Sequence, residues 1–360
     1  MAHINIVHII SSLEQGGAQK VLDLLMRNLP QDMYKHHVIF FHDGPYKKHF
    51  NSMGITTYSI SGFITRYDPV FSLRLFLLIK KLKPDILCGA LWAANIYARC
   101  IGYALNIPVI STLHALPEHE GAFKNWLTRM APHATRYCAV SPSIKKSFEY
   151  NCPTAHIITI PNGIACMRSA LCRKKNKKIF TIGSVGRFVP VKNYHLLIAS
   201  FKEIYTTCHH TRLILIGHGP LEQNLKNYAQ ELDIGHAVTF IINKPADAYY
   251  NKFDCFVQSS DYEGISMALL EAMSHKLPVI VTGVTSTGIN NHDVIENYHD
   301  GIIIPSRNQE ALTHAIKEFM YNPDLRSTCA RNGYNKVITT YTTTTMCTSY
   351  HRIFTELIYP

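Results

Sequence analysis

The chain has 360 residues, 47% of them hydrophobic and 17% charged, enough to bury two ordinary cores and too apolar for a disordered protein. Its 36 Lys and Arg against 25 Asp and Glu leave a formal charge of +11, which suits an anionic partner. No apolar run approaches the roughly 20 residues of a membrane-spanning helix, and an opening strand at residue 4 argues against a signal peptide.

Ile4 to Ile10 reads as a continuous apolar strand, and Ser11-Ser-Leu-Glu-Gln-Gly16-Gly17-Ala-Gln leads into a helix with apolar positions Val21, Leu22, Leu25 and Leu29. Paired glycines let a backbone approach a ligand and equally make a plain turn. Phe71 to Ile79 is apolar and runs into Lys80, Lys81 and Lys83; Phe123-Lys-Asn-Trp126-Leu-Thr-Arg129-Met is a second basic segment with apolar anchors. Cys166 to Lys178 is polar and strongly basic, and reads as a solvated linker in preference to a nucleic-acid patch. It separates an amino-terminal domain, 1–165, from a carboxy-terminal one, 179–341, with 166–178 between them.

Past the linker, Phe180 to Val185 is a strand, followed by Ser184-Val-Gly-Arg187-Phe-Val-Pro-Val-Lys192-Asn and a helix starting near Tyr194. The planar fork of Arg187 and the point charge of Lys192 together suit a diphosphate. Gly217-His-Gly219-Pro-Leu-Glu222 matches half of a dinucleotide fingerprint, but Glu222 stands where the third glycine belongs. Phe253 to Val257 and Leu277 to Val281 are short strands around a helix, Met267 to Met273, that Ser266 or Gly264 can cap. Glu263 then lies in the strand-to-helix loop and Glu271 in the helix, with the amides of Gly264, Ile265 and Ser266 between them. Amides at a helix start favour an anion, and the carboxylates can accept hydrogen bonds from hydroxyl-rich rings; alone, such a pair equally describes solvated surface acids. The β-branched run Thr339 to Thr345 reads as a turn or crossing point, and Thr342 to Tyr359 carries a helical stripe of Met346, Tyr350, Ile353, Phe354 and Leu357. The ten cysteines include no Cys-x-x-Cys pair, and Cys88, Cys100, Cys138 and Cys255 read as reduced, mostly buried thiols. His209-His210 near Cys208 lacks a further ligand at zinc spacing.

Alternating strands and helices predict two parallel α/β sheets. The Gly-Gly loop, the Arg…Lys pair and the Glu-x7-Glu motif, in this order with Val140-Ser-Pro-Ser, Ile160-Pro-Asn-Gly163 and Leu215-Ile-Gly217-His-Gly219-Pro-Leu, closely resemble the retaining glycosyltransferases of family 4 across nearly the whole chain. That resemblance implies the α/β GT-B fold: two Rossmann-like domains facing a cleft, the last helix, about 342–360, crossing back to the first. It implies a nucleoside diphosphate sugar as donor, UDP-sugar foremost, without cofactor or metal; no Asp-x-Asp triplet occurs in the sequence. Residue by residue, Arg187 and Lys192 would hold the diphosphate with help from Gly16 and Gly17, Glu271 the ribose, Glu263 the transferred sugar, and the amides of Gly264, Ile265 and Ser266 the phosphate or sugar. His114, in Ser111-Thr-Leu-His114, matches the amino-domain histidine that approaches the donor sugar; with Arg187, Lys192 and Glu263 it forms the implied catalytic set.

Relatives often carry Gly-Gly-x-Pro-Glu where this chain has Thr282 to Glu296, and Pro-x-Gly or Phe-Gly after the first glutamate where Gly264 follows directly, departures that bear on donor-sugar identity. The implied acceptor is a glycan or lipid-linked glycan in cell-envelope polysaccharide assembly, with the protein cytoplasmic and its basic amino-terminal segments held against anionic membrane. A GT-B nucleotide-sugar epimerase is the second enzyme reading; a basic scaffold or nucleic-acid binder is the non-enzymatic one, and no nucleic acid is expected.

Overall fold

A computed structural model describes residues 3–60, 68–114, 121–165, 179–283 and 293–359; the 166–178 linker and most of the Thr282 to Glu296 segment lie outside these described residues. The chain forms two compact units, Met1–Gly163 with Thr343–Pro360, and Ile164–Thr342. Each is built on one parallel sheet.

The first unit runs β1 (Ile4–Ser12), α1 (Gly17–Asn28), β2 (Tyr34–His42), α2 (Pro45–Ser52), β3 (Thr56–Ser59), α3 (Pro69–Leu82), β4 (Ile86–Ala90), α4 (Trp92–Leu105), β5 (Val109–Leu113), α5 (Ala122–Met130), β6 (Arg136–Ala139), α6 (Pro142–Asn151) and β7 (Ile157–Thr159), with sheet order β3-β2-β1-β4-β5-β6-β7. Both faces of β1 are covered, so Ile6, Val7, Ile9 and Ile10 are fully buried along one continuous run, as a central parallel strand requires. β1 extends two residues beyond Ile10 because Ser12 still pairs with His42.

The second unit runs β8 (Phe180–Val185), α7 (Tyr194–Thr207), β9 (Thr211–Gly217), α8 (Glu222–Glu231), β10 (Val238–Ile242), β11 (Cys255–Gln258), α9 (Met267–Ser274), β12 (Val279–Thr282), β13 (Ile302–Ile304), α10 (Gln309–Tyr321) and α11 (Pro323–Thr340), with order β10-β9-β8-β11-β12-β13. Its core gathers Ile182, Leu197, Phe201, Leu213, Val257, Ile280 and Phe319.

α12 (Thr343–Ile358) belongs to the first unit. Met346, Tyr350, Ile353 and Phe354 are buried, the Tyr350 and Thr112 hydroxyls are 3.3 Å apart, and Tyr34 Oη meets His351 Nδ1 at 2.7 Å. The threonine run, expected as a turn or crossing point, holds the boundary between the units at Thr342 and Thr343, but most of it is helical. Thr339 and Thr340 finish α11, the break falls at Tyr341-Thr342, and Thr343 to Thr345 form the first turn of α12. Thr339 Oγ1 stays in the helix by donating back to the Asn335 carbonyl at 2.9 Å. Cys100, expected buried, is exposed on α4, whereas Cys88, Cys138 and Cys255 are buried.

In each sheet the strand order reverses beside the first strand, between β1 and β4 and between β8 and β11. Open α/β sheets bind ligands at such reversals, beyond the carboxyl ends of the strands. The Gly16-Gly17 loop follows β1, the Arg187 to Asn193 loop follows β8, and Ser259 to Ser266 follows β11.

Candidate active site

In the second unit, β8 leads into exposed Arg187 and a 3₁₀ turn over Pro190–Lys192. Among the described residues the Arg187 side chain makes no hydrogen bond or ion pair. The half fingerprint at Gly217-His218-Gly219 packs this loop: Phe188 N donates to His218 O at 2.8 Å and Gly186 N to Ile216 O at 3.0 Å. A Cβ on Gly217 would lie 1.9 Å from Gly186 O, and one on Gly219 2.5 Å from Phe188 O. Asn193, at φ 46°, ends the loop and caps α7, its side chain accepting from Leu196 N.

Lys192 and Glu263, expected to hold different parts of a donor, are ion-paired to each other. Their side chains are 19% and 17% exposed, and Ser260 Oγ donates to the same Glu263 Oε1 at 2.8 Å. A cation so enclosed is costly without its anion, so the pair keeps a positive and a negative group poised at one edge until something replaces a partner. Asp261 ties the surrounding loops: it accepts from Asn193 Nδ2 at 3.0 Å and from Arg307 Nη2 at 2.6 Å, while its N–H donates to Val191 O at 2.8 Å. Ser266 Oγ accepts from Leu269 N and caps α9, which sets Gly264 and Ile265 directly before the helix start.

Glu271 lies inside α9, buried at 8% exposure. Fully buried Tyr250 donates its hydroxyl to Glu271 Oε2 at 2.8 Å, and burial, reinforced by the Glu271 charge, holds this phenol well above its usual range. His275 Nδ1 donates to the Glu271 carbonyl at 2.9 Å, and its ring lies 4.9 Å from that of Tyr250. Glu271 is therefore an oriented carboxylate and not a solvated one.

The remaining candidates belong to the first unit. Gly16 precedes α1 in extended conformation with no side-chain cap, and a Cβ there would come within 2.6 Å of Gln19 Oε1. Gln19 Nε2 donates to Ser12 O at 2.7 Å and fixes the loop. His114 follows β5, and lost hydration pushes its imidazole down to about 4, so it is neutral at pH 7.

The second unit thus brings Arg187, Lys192, Glu263, Gly264, Ile265 and Ser266 to one edge of one sheet, with Glu271 beyond, while Gly16, Gly17 and His114 lie at strand ends of the other sheet. Asp261, Ser260, Tyr250 and Arg307 were not anticipated. Asp261 adjoins the glutamate motif and Asn193 stands where a helix cap belongs, so both were available to a closer reading; Tyr250 and Arg307 carry no sequence signal of their own.

Two Rossmann-like domains, each built on one parallel sheet with the candidate residues at its strand ends, define the GT-B fold. The Glycosyltransferase Family 4 profile matches residues 15–168 and the Glycosyl transferases group 1 profile residues 172–336. The chain belongs to glycosyltransferase family 4. It is 27% identical over 288 residues to the capsular polysaccharide biosynthesis glycosyltransferase CapM of Staphylococcus aureus, covering 74% of this chain and 75% of that one. It is 22% identical to the UDP-Gal:alpha-D-GlcNAc-diphosphoundecaprenol alpha-1,3-galactosyltransferase of Escherichia coli, covering 94% and 92%. The crystal structure of Anabaena HepE in complex with UDP and glucose superposes with a TM-score of 0.84 at 17% identity over 98% of this chain and 100% of that one.

Proposed function

We propose that this glycosyltransferase moves a hexose or hexosamine, with retention of anomeric configuration and without a metal, from a UDP-sugar to a glycan or lipid-linked glycan acceptor in cell-envelope polysaccharide assembly. The observation that carries the reading is the second unit's strand-end edge, where the Lys192–Glu263 pair and exposed Arg187 lie in the loops after β8 and β11 and buried, oriented Glu271 lies in α9. The relatives named for capsule synthesis and for transfer to a diphosphoundecaprenol-linked sugar support the acceptor class.

On this reading the arriving diphosphate takes Lys192 from Glu263, and Arg187 closes on the same phosphates. Glu263 then accepts from sugar hydroxyls, and the Glu271 carboxylate accepts from the ribose. Cleavage of the glycosyl phosphate bond builds negative charge on the leaving oxygen, so cations fixed there stabilise the transition state more than the ground state.

The test is thermal unfolding and donor hydrolysis with UDP-, GDP- and ADP-sugars. A ligand bound only by the folded protein at 100 times its Kd adds about 2.7 kcal/mol, so a UDP-sugar should raise the melting point of the wild type and leave Glu271→Ala unmoved. Arg187→Ala should hydrolyse the donor roughly 100-fold more slowly. Equal stabilisation of wild type and Glu271→Ala would refute the donor site.

The first unit also carries the membrane reading. No described helix is long and apolar enough to cross a membrane. On α5, Phe123, Trp126 and Met130 are each more than half exposed beside Lys124 and Arg129, and on α3 Val70, Leu73 and Leu77 are exposed beside Arg74, Lys80 and Lys81. Apolar anchors flanked by cations suit an anionic bilayer surface. Cosedimentation with vesicles containing phosphatidylglycerol should be strong at low salt and weaken at high salt; no binding at low salt would exclude it.

A further inference from the structure

The first unit holds a partly open cavity of about 80 Å³, several times the roughly 10–15 Å³ that one water needs. Its wall includes Leu91 and Trp92 at the start of α4, Ser111 and His114 from β5 and its end, and Thr128 from α5. Ser111 is fully buried, and its Oγ has no hydrogen-bond partner among the described residues. A buried hydroxyl pays for lost hydration unless something bonds it, so this oxygen points to a ligand group in the cavity.

The backbone at the rim is strained. Leu91 has φ 73° and ψ 156°, a region essentially reserved for glycine, and it caps α4 without a side-chain hydrogen bond. Such strain gathers at ligand sites, where the surroundings hold it in place. Trp92 Nε1 donates to Thr128 Oγ1 at 3.1 Å and Asn95 Nδ2 to Thr112 O at 2.9 Å, while Asn95 Oδ1 is a second buried polar atom with no hydrogen-bond partner among the described residues.

The charges of the wall select the chemistry. Arg99 is the one Lys or Arg among the described lining residues, and its guanidinium donates to the carbonyls of Pro132, Thr128 and Ala131 at 2.5, 2.8 and 2.7 Å. His114 is neutral at pH 7. Lys124 Nζ is held over the Trp92 ring at 5.2 Å from its centroid, so among the described lining residues no cation is left to an anion, whereas a neutral hydroxyl would find Ser111, Asn95 Oδ1, His114 and an aromatic wall.

We propose that this cavity is an acceptor subsite that takes one uncharged, hydroxyl-bearing edge of a sugar ring, with a ring hydroxyl bonded to Ser111 Oγ and carbon-bound hydrogens against Trp92. The assignment rests on the reading of the chain as a glycosyltransferase with a glycan acceptor.

The chain has two tryptophans, Trp92 and Trp126, so Trp126→Phe leaves the cavity's own residue as the only tryptophan emitter. In that background, methyl α-D-glucopyranoside, methyl α-D-galactopyranoside and methyl N-acetyl-α-D-glucosaminide are titrated in turn, with inorganic phosphate as the anionic probe. At least one glycoside should shift the Trp92 emission saturably and phosphate should not. Ser111→Ala should weaken that glycoside about tenfold, the size of one hydrogen bond, and Ser111→Val, which also fills space, should abolish it. Saturation by none of the three glycosides, saturation by phosphate, or a glycoside affinity unchanged in Ser111→Ala would each overturn the proposal. Ser111→Ala decides the matter if the valine variant does not fold. Thermal shift with UDP, run in parallel on wild type and Glu271→Ala, reports the donor site: its failure beside an intact glycoside response would sink the donor reading and leave the subsite standing, and the reverse holds equally.

Discussion

At the scale of single residues, a carboxylate's usefulness depends on what holds its other oxygen. Tyr250 anchors Oε2 of Glu271 from full burial, which fixes the orientation of the whole carboxylate. Tyr250→Phe keeps the ring and removes the anchor. Donor KM should rise about five- to tenfold with kcat nearly unchanged, the cost of one charge-assisted hydrogen bond that positions a binding group. A fall in kcat at constant KM would place Glu271 in the chemistry instead. The Lys192–Glu263 pair supports a second experiment. Lys192→Met strands a mostly buried carboxylate and should destabilise by about 3 kcal/mol, while Lys192→Met with Glu263→Gln recovers most of that stability and no activity, as a thermal melt and a donor assay would show. The placement of Arg187, Lys192 and Glu263 in loops at strand ends and of Glu271 in α9 was legible because their spacing about strands and helices is itself the signal. Tyr250 was not, because it stands 21 residues from its partner and no local pattern links them.

At the scale of elements, the agreement is best where a strand is central and an apolar run is unbroken. β8 coincides with the expected Phe180–Val185, and α7 begins at the expected Tyr194. It is weaker where capping decides the boundary. Thr343 to Thr345 are helical because their helix buries Met346, Tyr350 and Phe354, a tertiary gain that outweighs the small β-branched penalty per residue. The Gly217-His218-Gly219 segment shows how one spacing serves two ends: glycines that resemble a phosphate loop are required here by the backbone of Gly186 and Phe188. Gly219→Ala, at φ 155° and 2.5 Å from Phe188 O, should lower stability by about 2 kcal/mol and displace the loop that presents Arg187. A donor-induced thermal shift reduced along with the melting point would confirm that these glycines act through the loop.

At the scale of the whole molecule, the first unit contains a histidine core with a defined acid response. His8 on β1 and His36 on β2 lie with Nε2 and Nδ1 3.1 Å apart, beside His37 and Tyr34. Burial first, and the neighbouring His37 second, push His36 from 6.5 down to about 4, and His8 is held well below its usual range by burial and then by His36 and His37. The unfolded chain therefore takes up protons near pH 6.5 that the native chain refuses until about pH 4. Stability is full above pH 6.5 and is lost as the pH falls through that window, with His36 alone worth about 3 kcal/mol. Melting points measured from pH 7.5 to 4.5 should fall accordingly, and His36→Leu should flatten the curve; an unchanged slope would remove His36 from the account.

The chain path also sets an order of events during synthesis. The first unit is made of two stretches, Met1–Gly163 and Thr343–Pro360, with the whole second unit inserted between them. Residues 164–342 are continuous and emerge from the ribosome together, so they can close their core while the earlier domain still lacks α12 and exposes the seat of Tyr350 and Phe354. The domain that starts first is the one that finishes last, and the nascent chain must shield an unfinished apolar surface for the time taken to translate about 180 further residues, about 10 to 40 seconds at ordinary elongation rates.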